Sequence, residues 1–364
     1  MSNINREKFA SLLYNTKYDS YTKQEDVKKI LHPLREWIKS NIPDKLYRFR
    51  NFNENNIKSL INDEIWGSAI RTFNDPYECM PCYIFDEINR YIDQEFSPEI
   101  VKTNLMRLIS NDIPECLQSA YSTDFINAIK ENADKIQNID LTSQLRNTRN
   151  ALVTLWNDNI EHFKTEFFKN IYLYENMYHI ACFSETNRST LMWSHYANAH
   201  TGFCLEYDFK TSIFNCTENC ESVLSCPGFM LNYPIAPIIY RDTRYDASEG
   251  FASMLMNWSI DNYNIPVCNI YYDMFVTSKT MLTKSSCWEY EKEWRLFSRI
   301  PETSPKPHGV ITTMKPKAIY LGARMKEHNK KRIINICKER EIPCFQMVPQ
   351  YHINDYELGE YPIC

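Results

Sequence analysis

The chain has 364 residues, 43% of them hydrophobic, and a formal net charge of −5. This excludes wholesale disorder and leaves room for one elaborated domain over residues 1–364. The acidic balance excludes a general nucleic-acid binder, while a local basic groove stays open.

No run approaches the ~20 apolar residues of a membrane span. Met1-Ser2-Asn3-Ile4-Asn5-Arg6 lacks an apolar signal stretch, so a cytoplasmic chain with no membrane partner is expected. The 13 cysteines are odd in number and accompany no export signal, and read as reduced thiols. With only 7 glycines and neither a GxGxxG nor a Walker-type loop, a Rossmann or P-loop reading is set aside.

In chain order, residues 1–43 read as a helical extension. Val27, Ile30, Leu31, Leu34, Trp37 and Ile38 recur at helical spacing, interrupted by Pro33, and Pro43 stops the run. Leu46-Tyr47-Arg48-Phe49-Arg50 follows as a short strand in which aromatic positions alternate with arginines. Next come a helix capped by Asn53, a strand over Glu64–Ser68 and the turn Phe73-Asn74-Asp75-Pro76-Tyr77-Glu78. Residues 84–175 are polar and helix-patterned, and read as a helical insertion in which Ser97-Pro98-Glu99 starts one helix. Strands return at Met177–Ser184, Gly202–Phe209, Ile235–Tyr240, Glu293–Ile300, Lys317–Leu321 and Pro343–Met347, with a helix through Ile333, Ile334 and Cys337. This order fits an α+β class with a mixed or antiparallel sheet better than a doubly wound sheet.

The sharpest chemical signal is Trp288-Glu289-Tyr290-Glu291-Lys292-Glu293-Trp294-Arg295. If this segment enters a strand, Glu289, Glu291 and Glu293 share one face. Three carboxylates on one face repel each other, and a fold tolerates that more readily when a cation, a metal or a cationic intermediate sits opposite. A solvated edge strand, neutralised by Lys292 and Arg295, is the plain alternative. Arg48 in its aromatic strand suits a bidentate phosphate clamp, or a surface arginine stacked on a tyrosine. Ser184, Ser194, His195 and His200 do not make a convincing acyl-transfer triad, because no GxSxG elbow is present. Cys182 with His195 is a thiol-pair alternative that spacing alone cannot join. Trp193 and Tyr196 offer an aromatic wall, or a buried helix start. Cys79-x-x-Cys82 is half a zinc pattern whose further ligands, Cys216, Cys220 and Cys226, are irregularly spaced, so no metal is expected there.

Taken together, these segments resemble a large bacterial family described as a domain of unknown function. The resemblance rests on Tyr47-Arg48-Phe49, Phe73-Asn74-Asp75-Pro76-Tyr77-Glu78, Cys182-Phe183-Ser184-Glu185, Trp193-Ser194-His195-Tyr196-Ala197, the Trp288–Arg295 segment and Ile319-Tyr320-Leu321-Gly322. More remotely, an aromatic-arginine first strand, a middle-strand serine and a late Glu-x-Glu resemble ADP-ribosyltransferases, including DNA-targeting toxins. That resemblance implies their fold and NAD as the substrate. It assigns Glu293 and Glu291 as catalytic acids, and Tyr47, Arg48, Ser184, Trp193 and Tyr196 to NAD binding. The typical Ser-Thr-Ser triplet is absent, since Glu185 and Thr186 follow Ser184.

The expected function is ADP-ribosyl transfer to a nucleic acid, protein or small molecule, or NAD hydrolysis, with a toxin or anti-phage role by analogy. The rivals are a metal-dependent nuclease or hydrolase using Asp75, Glu78, Glu291 and Glu293, and a non-enzymatic sensor or interaction protein. If Glu293 is catalytic, Glu293→Gln is expected to leave the melting temperature nearly unchanged.

Overall fold

The computed structural model describes residues 5–18, 22, 24–110, 122–138, 140–158, 178–210, 235–253, 273, 275–299 and 307–364. Two helices, Arg6–Asn15 and Gln24–Asn41, open the chain, and Pro33 sits inside the second without ending it. Strand β1 is Leu46–Arg50 and β2 is Glu64–Ala69. Helix Glu54–Ile61 lies between them and is capped by the Asn53 side chain, which accepts from the Asn56 N–H at 2.9 Å.

The described residues from 85 to 158 form helices Phe85–Glu95, Pro98–Ile109, Thr123–Glu131, Ala133–Asn138 and Thr142–Asp158. Ser97 caps the second of these ahead of Pro98, as its sequence predicts. Residues 111–121 and 159–175 of the expected helical insertion lie outside the described residues.

Then follow β3 Tyr178–Ser184, helix Thr190–Tyr196, β4 Phe203–Tyr207, β5 Ile235–Pro237, β6 Ile239–Arg241, helix Val276–Met281, β7 Thr283–Ser285 and β8 Glu293–Arg299. The chain closes with β9 His308–Thr313, β10 Ala318–Leu321, helix Glu327–Glu339, β11 Cys344–Pro349 and β12 Leu358–Pro362.

Helices and a mixed sheet therefore make up the fold, as expected. Among the described residues, ten strands form one sheet whose pairs are antiparallel except β10 with β11, while β6 and β7 form a separate parallel pair. Among the described residues, no helix is long and apolar enough to cross a membrane.

Two expectations needed correction. The expected strand Ile235–Tyr240 is two strands serving two sheets, because β5 pairs with β8 and β6 with β7. The expected face shared by Glu289, Glu291 and Glu293 does not exist: Ser286–Glu291 is a 3₁₀ helix, and Lys292 takes left-handed angles (φ 46°, ψ 50°) before β8 begins at Glu293.

The sheet forks at β3. Along one edge β3 pairs with β8 over its whole length, from Tyr178↔Arg299 to Ser184↔Glu293. On its other edge it meets β1 only at Tyr47↔Ser184, and β2 only at Ser68↔Ile180 and Ala69↔His179. From there β1 leads through β4 and β10 to β11 and β12, whereas β2 leads to β9.

Side-chain alternation sends Leu46 of β1 into the larger core, with Phe9, Leu31, Ile57, Leu205 and Ile333, and Tyr47 and Phe49 into a smaller cluster with Met192, Trp193 and Tyr320. Cys182 sits mid-strand in the fork, opposite neither β1 nor β2, and it alone breaks the burial of β3.

Candidate active site

The fork opens a pocket of about 370 Å³, within the range of small-molecule sites. Its walls include Tyr47, Arg48 and Arg50 from β1, Cys182 and Ser184 from β3, His195 and Tyr196 from the helix Thr190–Tyr196, and Lys284, Glu291 and Glu293. Strand pairing explains the convergence. β1, β3 and β8 are neighbours, with Tyr47 opposite Ser184 and Ser184 opposite Glu293, so three distant segments become adjacent.

One side of the pocket is a buried ionic network. Lys284 Nζ lies 2.7 Å from Glu291 Oε2, 3.1 Å from Glu293 Oε2 and 3.4 Å from Glu78 Oε2. Arg295, fully buried, donates from Nε to Glu293 Oε1 at 2.7 Å, from Nη2 to Glu78 Oε1 at 2.5 Å, and from Nη1 to the Met281 carbonyl at 2.8 Å. Three carboxylates thus face two cations, one negative charge in excess.

That imbalance separates the two glutamates. Burial opposes the charge on Glu293, but Arg295 and Lys284 outweigh it and hold its carboxyl well below the usual range. For Glu291, burial and the neighbouring Glu293 charge prevail over Lys284 and raise its pKa. Tyr196 Oη donates to Glu291 Oε1 at 2.5 Å, and burial followed by the Glu291 charge raises the phenol's own pKa.

Local structure aims these groups. Ser184 Oγ donates to the Glu291 carbonyl at 2.7 Å, tying the 3₁₀ turn to β3. The Asp75 carboxylate accepts from the Tyr77 N–H at 2.8 Å, and this turn delivers Glu78 to Arg295 and Lys284. The helix carrying His195 and Tyr196 ends in three successive left-handed residues, Asn198, Ala199 and His200 (φ 46°, 51° and 69°). Such angles cost roughly 1–2 kcal/mol each for residues with a Cβ, and the His200 N–H bonds the Trp193 carbonyl at 3.1 Å across this turn.

The other side of the pocket is cationic. Arg48 is buried, its Nη2 donates to the Trp66 carbonyl, and its guanidinium lies 5.5 Å from the centre of the Phe183 ring. Burial, then the neighbouring Arg50 charge, lowers its pKa. Burial lowers that of Arg50 as well. Among the described residues, no carboxylate forms an ion pair with either arginine, so the surface-stacked reading of Arg48 does not hold. Cys182 lies between the two sides: its thiol feels Glu293, Arg295 and Lys284, and both Arg48 and Arg50 feel it. Although Cys182 is open to the pocket, desolvation by the surrounding strands and then the Glu293 charge push its thiol above its usual pKa, the opposite of an activated nucleophile.

Six of the seven expected site residues line this pocket: Glu293, Glu291, Tyr47, Arg48, Ser184 and Tyr196. Trp193 does not. It is fully buried, donates from Nε1 to the Asn187 carbonyl at 2.6 Å and packs edge-on against Phe49. Ser194 and His200 bond each other at 3.1 Å away from the pocket. Asp75 stays at its own turn, while Glu78 joins Glu291 and Glu293. Cys216, Cys220 and Cys226 lie outside the described residues, and among the described residues no group of three or more His, Cys, Asp and Glu is arranged to hold a metal ion.

The expectation for Glu293→Gln also changes. Glutamine keeps the size but deprives two buried cations of a partner, so this substitution is destabilising whatever the role of Glu293. Sequence reasoning missed Lys284 and misplaced Arg295 at the surface. The odd Glu-x-Glu pattern was the available signal, because three buried acids require buried cations.

No curated protein and no solved structure matches the chain. Residues 192–296, which include Tyr196, Lys284, Glu291, Glu293 and Arg295 and exclude Arg48 and Ser184, match a family model described as a protein of unknown function (DUF2971).

Proposed function

We propose that the pocket binds NAD as a substrate, and that the chain transfers its ADP-ribosyl group to an acceptor or to water. The observation that carries this reading is the division of charge within one pocket. Among the described residues, Arg48 and Arg50 lack acidic partners on one side, and the Glu78–Glu291–Glu293 cluster holds one negative charge in excess on the other.

NAD has the complementary division: an anionic pyrophosphate, and a cationic nicotinamide ring attached to ribose. The two guanidiniums suit the pyrophosphate. Tyr47 and Tyr196 offer ring faces for nicotinamide. When the bond from ribose C1′ to the nicotinamide nitrogen breaks, nicotinamide leaves with the electron pair and positive charge grows on the ribose. A fixed carboxylate such as Glu293 stabilises that charge, and one well-placed group of this kind is worth about 3–4 kcal/mol.

The new bond forms between C1′ and a nucleophile of the acceptor, whose proton passes to Glu291. The split between the two glutamates fits this division of labour: Glu293 stays ionised, and Glu291 takes a proton readily. Ser184, already bonded to the Glu291 carbonyl, acts as a positioning residue. The acceptor class, and a role as toxin or anti-phage effector, rest on the resemblance alone.

The metal-dependent hydrolase reading is less well supported. Glu78, Glu291 and Glu293 do gather, but Lys284 and Arg295 stand among them and meet their charge. A structural role for the network fits a sensor, but leaves the two arginines of β1 unexplained.

The test is nicotinamide release from NAD by the purified chain in EDTA, with and without candidate acceptors. Wild type is expected to release nicotinamide, and Glu291→Gln to slow release by roughly 10²–10⁴-fold, the usual range for a general base. Equal rates in the two proteins would remove Glu291 from the chemistry, and activity restored only by divalent metal would favour the hydrolase.

A further inference from the structure

A second cavity, of about 500 Å³, opens beside the pocket and shares Arg50 and Ser68 with it. Its walls come from helix Glu54–Ile61 and its cap, from β2 and from β9, and include Asn55, Lys58, Glu64, Trp66 and His308. Polar and charged side chains dominate this lining, yet Trp66 is 39% exposed. Its indole Nε1 donates to Glu64 Oε2 at 2.9 Å, which orients the ring. Its backbone carbonyl accepts from Arg48, which lines the first pocket.

An oriented, exposed indole in a polar groove is a stacking surface for a flat heterocycle. The first pocket lies near the lower end of the ~300–1,000 Å³ range of small-molecule sites. That suits one nucleoside-sized half of a dinucleotide. The second cavity is at least as large, and the wall common to both, Arg50 and Ser68, includes a guanidinium without an acidic partner among the described residues.

We infer that the second cavity is the adenosine subsite: the adenine stacks on Trp66, the pyrophosphate crosses at Arg50, and the nicotinamide ribosyl half enters the fork. This inference rests on the NAD reading of the pocket. The carbonyl bonded to Arg48 belongs to the backbone, so replacing the Trp66 side chain leaves that bond available.

Calorimetric titration of the full chain tests it, with NAD as ligand and AMP, which carries only the adenosine half, as competitor. Wild type is expected to bind NAD in competition with AMP. Trp66→Ala is expected to weaken NAD binding by ~10-fold and Trp66→Phe to recover most of it, as base stacking on an aromatic ring requires. Unchanged NAD affinity in Trp66→Ala, a loss that phenylalanine does not recover, or AMP that fails to compete in wild type would each overturn the subsite and leave the NAD reading standing. Absence of NAD binding by wild type would overturn both. If Trp66→Ala does not fold, the phenylalanine variant and the AMP competition still decide.

Discussion

Two groups of charge lie on either side of Cys182, one wholly buried and one made of the buried Arg48 and the half-buried Arg50, and they are built differently. Around Lys284 and Arg295, each ionic group has an opposite charge within 3.4 Å. On β1, Arg48 has a carbonyl and a phenyl ring, and Arg50 has no carboxylate partner among the described residues. Burying a charge costs several kcal/mol unless a partner offsets it. Every group of the network therefore has an opposite charge beside it, with one negative charge in excess, whereas among the described residues the arginine pair has no anion beside it. On the NAD reading proposed above, the first half positions the reacting groups and the second half holds the pyrophosphate.

The largest way to break this comparison is to remove a cation from each half. Arg295→Met removes one of the two cations beside Glu78 and Glu293, leaves Lys284 alone among three buried carboxylates, and is expected to cost roughly 3–5 kcal/mol in urea unfolding. Arg48→Met strands no carboxylate and is expected to cost about 1 kcal/mol, the value of one lost hydrogen bond. Equal losses would show that both arginines are structural.

Titration sharpens the contrast within the network. Glu291, whose folded pKa is raised, contributes stability below the ordinary glutamate value that is lost as pH rises through the raised one. Glu293, whose folded pKa is depressed, contributes stability above the ordinary value that is lost only as pH falls through the depressed one. Two outcomes follow. The acid limb of the pH–rate profile lies above the ordinary value of about 4.3 and vanishes in Glu291→Gln. The same variant gains stability relative to wild type as pH rises through the raised pKa of Glu291. A limb that persists in the variant would move the base elsewhere.

The smallest effect separates packing from binding. Trp193→Phe opens a small void and loses the bond to the Asn187 carbonyl, at a cost of about 1–2 kcal/mol. Because Trp193 lies outside the pocket, NAD affinity is expected to stay within twofold. A larger loss of affinity would return Trp193 to the site.

Local signals were legible where they rest on local physics. β1 was read to the residue from its alternation, and the Asn53 and Ser97 caps from their positions before helical runs. The late acidic segment misled for the same reason: glutamates at every second position imitate a strand, but the turn at Lys292 lies inside the pattern. β7, β9 and β12 went unread, being short or rich in Gly, Thr and Pro. Arg295 looked like surface charge because its partner Glu78 lies 217 residues away. Arg295 also bonds Glu293, two residues away, but burial of its guanidinium depends on Glu78 as well, and no short window of sequence contains both. The fork at β3 is likewise a matter of which strands pair, so the exposure of Cys182 in mid-sheet had no sequence signature.

The most direct test of the central claim is NAD binding by wild type and by the double variant Arg48→Met, Arg50→Met, measured by calorimetry in EDTA at matched melting temperatures. The charge division predicts binding by wild type and loss of at least tenfold in the variant, since both pyrophosphate partners are gone. Equal affinity in the two proteins, or no binding by a folded wild type, would contradict it.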